Sequence, residues 1–475
     1  MSRKRIGKTR NLVLQVPWTS VLLYDRFRYN LNAMTKDSVC LISLGCPKNL
    51  VDSEVMLGLL AERGYGITTE PGQADIILIN TCSFIQEATQ ETLDTILEAV
   101  HLKRSGSCRL LVVTGCLPQR YGWTLAREMP EVDYFLGTEE FPRIVHYLEG
   151  IPNDQERVAI GRTSFLYDHR TPRLLSGPHH SAYIKIAEGC SRSCSFCIIP
   201  ILRGGLRSRP IASICQEASR LVEQGVKEIN LVGQDTTSYG LDLRDGTNLK
   251  RLLESLCHIE GLQWIRVLYA YPEHIDAQLL RQMCSSEKIC NYIDLPIQHV
   301  NRELLRAMAR PIFGRSPEAL IQRIREEIPG VCLRTTLMVG FPGETETQFS
   351  ELVDFVERIR FERLGVFQFS PEEGTLASKM KNQIPGSVKR RRFEHLMELQ
   401  QRISLKHNSD LIGKRVVVLI EGPLGDPDSL AGRIATQAPD IDGRVIITAG
   451  TASPGQMVDV RITKAYPYDL EGEVV

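Results

Sequence analysis

Cys190, Cys194 and Cys197 fall within eight residues, in the segment EGCSRSCSFCIIP. Three thiolates on one short loop can wrap a corner of a [4Fe–4S] cube and leave its fourth iron without a protein ligand. Structural zinc takes four protein ligands, and no Cys or His follows at finger spacing. His179 and His180, just upstream, keep a zinc reading open. A second set is spread more widely. Cys46, Cys82 and Cys116 each follow an apolar run by one or two residues (LISLG, ILINT, VVTG), at intervals of 36 and 34 residues. That places all three beyond the C-terminal ends of parallel strands, where open α/β sheets gather ligands. Adjacent loops could bring the three thiolates to one point. Three small residues at tight turns are the plain alternative.

The elements that would position these residues follow from the pattern. VCLISL, ADIILIN and RLLVVTG are buried-strand runs, separated by the helical stretches DSEVMLGLLAERG and QETLDTILEAVHLK. They predict an open α/β sheet domain over 38–150, followed by a polar linker to about 176. A second alternating series begins at Tyr183, with runs YIKIAE, KEINLVG, WIRVLYA, NYIDLP, VCLRTTLMVG and RLGVFQF. Six βα units over 176–407 predict a partial TIM-type barrel of parallel strands. From 408 to 475 the texture changes to VVVLIEG, AGRIATQ, GRVIITA and MVDVRIT between turn residues, which predicts a small antiparallel β-barrel. The fold class is therefore α/β with an all-β terminus. Residues 1–37 read as a basic extension, a disordered tail or an overlong start before Met34. The first 33 residues carry seven bases against one acid.

Composition sets outer limits. With 475 residues, 43% apolar and 24% charged, the chain has a globular profile and room for about three domains. Lys+Arg and Asp+Glu are both 57, so no global basic field points to nucleic acid. No run approaches membrane-spanning length and no secretory signal is present, so a cytoplasmic location without membrane association is expected. An odd count of 13 cysteines in such a chain does not suit a disulfide framework. The other seven (Cys40, Cys108, Cys215, Cys257, Cys284, Cys290 and Cys332) are assigned to packing.

The cysteine loop at 188–200 resembles that of the radical S-adenosylmethionine (SAM) enzymes, with Phe196 before the last cysteine. SLGCPKNLVDSE, NTCSFI and TGCLPQRY are similar to the three cysteine motifs of the methylthiotransferases within that superfamily. The resemblance runs from about residue 38 to the C-terminus, the last domain resembling a TRAM module. It implies two [4Fe–4S] clusters as cofactors, one on Cys190, Cys194 and Cys197, where SAM chelates the open iron, and an auxiliary one on Cys46, Cys82 and Cys116. It further implies that one SAM methylates a sulfur and a second yields a deoxyadenosyl radical, so that a carbon-bound methylthio group results. An electron donor such as flavodoxin or ferredoxin would be required. Gln234 and Asp235, ending INLVGQD, are candidates to meet the SAM ammonium, and Gln298 and Arg334 are candidates for the same barrel mouth. Gly340 and Gly343 in MVGFPGET would let backbone approach a ligand.

Family members modify either an adenosine of transfer RNA or an aspartate of a ribosomal protein. From Ser409 to Val475 there are six bases and ten acids, a net charge of −4. An RNA-binding barrel would present a basic face, whereas an acidic one suits a basic ribosomal protein. GCPKNLVDSE, SPEEGT and QAPDIDG also resemble the ribosomal-aspartate branch. The expected substrate is thus the small-subunit ribosomal protein S-twelve, with RNA binding not expected. A transfer-RNA methylthiotransferase is the alternative, supported by the basic connector at Lys389–Arg392.

Overall fold

A computed structural model describes residues 36–475 apart from 107, 151–156, 163, 311–315 and 425. The basic extension, up to residue 35, lies outside the described residues.

The first sheet is parallel throughout. Its strands are β1 (Lys36–Ser43), β2 (Tyr65–Thr68), β3 (Ile76–Thr81), β4 (Leu110–Gly115), β5 (Tyr134–Leu136) and β6 (Val158–Ala159), in the spatial order β2-β1-β3-β4-β5-β6. Helices α1 (Pro47–Glu62), α2 (Gln86–Ser105), α3 (Cys116–Glu128) and α4 (Ile144–Glu149) cover it. All six residues of β3 and of β4 are buried, as a sheet packed on both faces requires. The short strand β6 belongs to this sheet. The segment read as a polar linker therefore contributes an edge strand, and beyond it the buried Arg173. Arg173 ion-pairs with Glu54 on α1 at 2.6 Å.

The central domain opens with β7 (Ser181–Lys185), followed by the small antiparallel pair β8 (Ala187–Glu188) and β9 (Arg207–Ser208), with α5 (Ile199–Arg203) between them. Next come α6 (Ile211–Glu223), β10 (Glu228–Val232), α7 (Leu249–Cys257), β11 (Trp264–Val267), α8 (Ala277–Met283) and β12 (Ile289–Asp294). Helices α9 (Arg302–Ala307) and α10 (Pro317–Glu327), then β13 (Cys332–Val339), α11 (Glu346–Ile359) and β14 (Arg363–Gln368), complete it. Strands β7, β10, β11, β12, β13 and β14 lie side by side in chain order, all parallel, as an open half-barrel. Ile184, Leu231, Ile265, Ile293 and Leu333 face the helices and form the main core. Alternate residues Tyr183, Arg266, Tyr292, Cys332 and Arg334 face the concave side.

Helix α12 (Gly386–Ser409) leads to a closed barrel of β15 (Arg415–Leu424), β16 (Asp426–Ile434), β17 (Val445–Ala449), β18 (Met457–Ala465) and β19 (Leu470–Val474). Five strands close it where four runs were legible, and β17 pairs with β19 in parallel, so the barrel is not wholly antiparallel. Its segment 435–442 enters the concave side of the half-barrel. There the Tyr183 hydroxyl donates to Asp440 (3.2 Å), the Tyr292 hydroxyl to Asp442 (2.8 Å), and Arg266 to the Ala435 carbonyl (2.7 Å). Beneath them Arg433 and Arg266 share the carboxylate of Glu228, all three essentially without solvent exposure.

These contacts give three of the barrel's acids partners within the chain. Asp440 and Asp442 are spent on tyrosines of the central domain, while Glu421 is spent on Arg433. Among the described side chains, five exposed bases (Lys414, Arg415, Arg444, Arg461, Lys464) stand against three exposed acids, Asp410, Asp440 and Asp459, and the half-buried Asp469, Glu471 and Glu473. Of the seven cysteines assigned to packing, Cys40, Cys108, Cys290 and Cys332 are buried and Cys215 and Cys257 half-buried, but Cys284 is exposed beyond the end of α8.

Candidate functional site

Each cysteine of the first set sits where a strand turns into the next element. Leu44 and Gly45 separate β1 from Cys46, which caps α1; Cys82 follows β3; Cys116 opens α3 directly after β4. Because β1, β3 and β4 are adjacent and parallel, the three loops lie side by side at one sheet edge. Two asparagines bind the loops together. Asn49 donates to the carbonyls of Leu44 (3.0 Å) and Thr81 (2.8 Å), and Asn80 donates to the carbonyl of Asn49 (2.9 Å). The Thr81 hydroxyl bonds the Thr114 carbonyl at 2.6 Å, which fixes β4 and with it Cys116.

Gly45 is the tightest point. Its φ is +92°, and a Cβ there would fall 2.6 Å from the Cys82 Cβ and 2.9 Å from its Sγ. Gly45→Ala should therefore push Cys82 out of line and strain the turn. The expected outcome is loss of the iron bound by this set, with the iron on the Cys190 loop retained. Iron analysis of the reconstituted variant checks it, and full iron content would contradict it.

The second set lies on the loop after β7 and β8. Gly189, at φ +71°, brings its backbone so close to Gly205 that a Cβ would lie 2.1 Å from that carbonyl, which only glycine allows. The Cys190 amide donates to the Gly204 carbonyl (3.0 Å), and the Ser195 amide and hydroxyl are fixed by the carbonyls of Met308 (3.0 Å) and Ala307 (2.7 Å). Arg310 donates to the Cys194 Sγ at 3.6 Å and stacks on Tyr271. Arg192 covers the same ring, so Tyr271 touches two guanidinium groups.

Burial pushes the Cys197 thiol up to about 12, with Cys194 and Cys190 adding to it. Burial likewise raises Cys82 and Cys116, and the thiols of each set raise one another. Cys46 differs: burial would raise it, but the Lys48 ammonium and Arg203 guanidinium outweigh burial and hold it below its ordinary value. Ligation needs thiolates, so metal loading would release protons. Among the described residues no three His, Cys, Asp or Glu side chains gather closely enough to hold a single metal ion. A four-iron cube is larger than one ion and takes its thiolates from further apart, so two all-cysteine sets of three fit clusters better than zinc.

One buried ionic network joins the two loops. Lys185 on β7 pairs with Asp52 on α1 and with Glu188 (2.6 Å), and Arg203 on α5 pairs with both carboxylates at 3.0 Å. Arg203 also donates to Asn49 Oδ1 and lies 4.0 Å from the Cys116 Sγ. It is thus a residue of the Cys190 domain in contact with the Cys46 set. A lone arginine in the apolar run IIPILRG was its signal in the sequence, and its role went unread.

The four SAM candidates part company. Gln234 Nε2 donates to Glu188 (3.2 Å), beside the Cys190 loop, while its Oε1 is buried with no hydrogen-bond partner. That orphaned acceptor fits an ammonium donor. Asp235 is already committed: it accepts from the Ser238 amide (3.1 Å), the Thr237 hydroxyl (2.7 Å), Arg192 (3.1 Å) and the Ser238 hydroxyl. Gln298 joins β13 through its backbone, donating to the Thr336 carbonyl and accepting from the Met338 amide, at φ +69°. Arg334 stands third in β13 rather than at its end, paired with Asp294 at 2.9 Å and 3.8 Å from Asp442 of the terminal barrel. The structure gathers Gln234 and Asp235 at the Cys190 loop and leaves Arg334 facing the terminal barrel.

Comparison with known proteins places this geometry. Residues 184–356 match the Radical SAM superfamily, 38–137 match an uncharacterized protein family (UPF0004) and 412–475 match the TRAM domain. The fold is similar to that of the radical SAM methyltransferase TsrM from Kitasatospora setae, solved with cobalamin and a [4Fe-4S] cluster (TM-score 0.53, 14% identity, covering 84% of this chain and 81% of that one). The protein is a radical SAM enzyme. Two relatives, each named ribosomal protein uS12 methylthiotransferase RimO, are 51% identical over 93% of this chain and 99% of their own length, from Geotalea uraniireducens and Geobacter sulfurreducens. A third, from Myxococcus xanthus, is 48% identical over 93% of this chain and 92% of its own. The chain belongs to the RimO family of methylthiotransferases.

Proposed function

We propose that the protein transfers a methylthio group to the β-carbon of an aspartate in ribosomal protein uS12. The observation that carries this is identity of 51% with uS12 methylthiotransferases over nearly the whole of both chains. Cys46, Cys82 and Cys116 are assigned to the auxiliary cluster, and Cys190, Cys194 and Cys197 to the SAM-binding one. When bound, the clusters and SAM supply the sulfur and the one-electron chemistry that opens a C–H bond no general base can reach. The chain's own residues orient and shield. Gln234 Oε1 receives the SAM ammonium, while Asp235 acts at one remove by fixing Arg192 beside the Cys190 loop. Arg310 donates to the Cys194 sulfur and so orients it. The Lys185–Asp52–Glu188–Arg203 network holds the two cysteine sets in fixed relation. Gln298 supports β13, and Arg334 is assigned to docking of the terminal barrel. An electron donor of the flavodoxin or ferredoxin kind serves the enzyme in the cytoplasm. No helix among the described residues is long and apolar enough to cross a membrane.

The test is anaerobic reconstitution with iron and sulfide, then SAM and reductant, offering uS12 and transfer RNA in separate reactions and reading products by mass spectrometry. A methylthio adduct on an aspartate of uS12 alone is expected. An adduct on RNA alone would overturn the reading. In the same assay Cys82→Ala should still cleave SAM and yet transfer no methylthio group; unchanged transfer would remove the first cysteine set from the reaction.

A further inference from the structure

The basic connector at the start of α12 is turned toward the mouth of the half-barrel. Lys389 donates to the Phe369 carbonyl, just past β14, at 2.7 Å. Its stem explains Gly340: at φ +75° a Cβ there would lie 2.3 Å from the Lys389 Cγ. One turn further along α12, Arg392 is buried. One terminal nitrogen meets Glu344 at 2.7 Å and the other meets Glu346 at 2.8 Å.

Glu344 is the hub of the loop after β13. The oxygen that takes Arg392 also accepts from the Gly340 amide, which closes the turn. Its other oxygen faces His299 Nε2 at 3.3 Å. His299 Nδ1 accepts from the amides of Val300 (2.9 Å) and Asn301 (3.0 Å), so its proton sits on Nε2 and points at Glu344. Neither of these two side chains has any solvent exposure. One carboxylate thereby joins the loop after β12, the loop after β13 and α12. Between its anchors the loop carries Phe341, set edge-on to Phe369 (5.4 Å) in an apolar cluster that includes Met308 and has Phe196 packed against it. Phe196 precedes Cys197, and the Met308 carbonyl is the group that receives the Ser195 amide. The Cys190 loop rests on this floor.

Buried ion pairs are a poor source of stability, because the desolvation of each charge offsets their attraction. What the guanidinium fork adds is direction, since it fixes a carboxylate in place and angle. We propose that Arg392 is a positioning residue for SAM cleavage. Through Glu344 it sets Phe341, and through Phe341 and Phe196 it sets the Cys194–Cys197 turn. This rests on the assignment of the Cys190 loop to the SAM-binding cluster.

The test compares reconstituted Arg392→Met, Arg392→Lys, Phe341→Leu and Leu399→Ala enzymes with wild type. Leu399, two turns further along α12, is 5% exposed and lies in the main core, so its truncation loosens the same helix without touching Glu344. Amide exchange of segments 194–197 and 340–344 is read before SAM is added. SAM affinity is then read together with the change that SAM induces in the electron paramagnetic resonance spectrum of the reduced enzyme. Arg392→Met should keep its iron, exchange faster in both segments, and bind SAM at least about tenfold more weakly with a diminished spectral change. Arg392→Lys, which keeps the charge beside Glu344, should regain most of that affinity. Leu399→Ala should lower the thermal transition and leave SAM affinity and spectrum as in wild type. Phe341→Leu keeps the apolar bulk and the ion pairs, and so tests the chain of contacts even if Arg392→Met assembles poorly; weaker SAM binding is expected. Wild-type affinity in Arg392→Met or in Phe341→Leu would overturn the proposal, as would an equal loss in Leu399→Ala. SAM cleavage that survives Cys190→Ala would instead bring down the underlying assignment, a failure separate from any of these.

Discussion

Cys190→Ala enzyme, reconstituted without oxygen, should release deoxyadenosine from SAM at least about a thousandfold more slowly than wild type, while keeping the iron held by Cys46, Cys82 and Cys116. The substitution removes one of three thiolates from the loop, and two cysteines cannot fix a cube with one iron left open. It should leave the fold intact. The loop is held by main-chain bonds, from the Cys190 amide to Gly204 and from Ser195 to Met308, that alanine preserves. The other cysteine set stands on a separate sheet, tied by Asn49, Asn80 and Thr81. Deoxyadenosine at the wild-type rate would show that SAM is bound elsewhere. Paired with Cys82→Ala, the measurement splits the two halves of the reaction.

The largest effect on stability is expected at the foot of the half-barrel. Arg433→Ala should destabilise the docked terminal barrel by about 3 kcal/mol, because it leaves the buried Glu228 with Arg266 alone and takes from Glu421 its partner. For a barrel of this size that corresponds to a fall of at least about 10 °C in the thermal transition, read by calorimetry. The same site predicts acid sensitivity. Burial would raise the Glu228 carboxyl, but Arg433 and Arg266 outweigh it and hold it down to about 2. A carboxyl lowered on folding stabilises above its unfolded value, near 4.5, and that contribution is lost as pH falls from about 4.5 toward 2, on the order of 3 kcal/mol in all. Glu228→Gln should flatten the stability profile over that window. A profile as steep as the wild type's would refute the assignment.

The sequence exposed the parts of the molecule that depend on short spacing or on continuous apolar runs. The six half-barrel strands and the strands before Cys46, Cys82 and Cys116 were legible because buried parallel strands leave an unbroken apolar signature. The strands β2, β5, β6 and β19 were not. They are short, at edges or closing a barrel, and their stability comes from neighbours rather than pattern. What links the domains was the least legible. Lys185, Glu188, Arg203, Glu228, Arg266 and Arg433 are charged residues inside apolar segments, and only the fold shows that they meet one another. For the same reason the net charge of the last 67 residues did not reveal that Asp440, Asp442 and Glu421 also contact the chain itself. The choice of uS12 rests on the relatives.

The network of Lys185, Asp52, Glu188 and Arg203 has a consequence for the tempo of the reaction. Separating the first domain from the half-barrel would strip the desolvated Asp52 of both its partners and leave Lys185 and Arg203 with Glu188 alone, a cost of several kcal/mol. The frame is therefore a jig and not a hinge. SAM and the substrate then have to enter between walls that are fixed to one another. Domain opening is then not expected to set the pace of turnover.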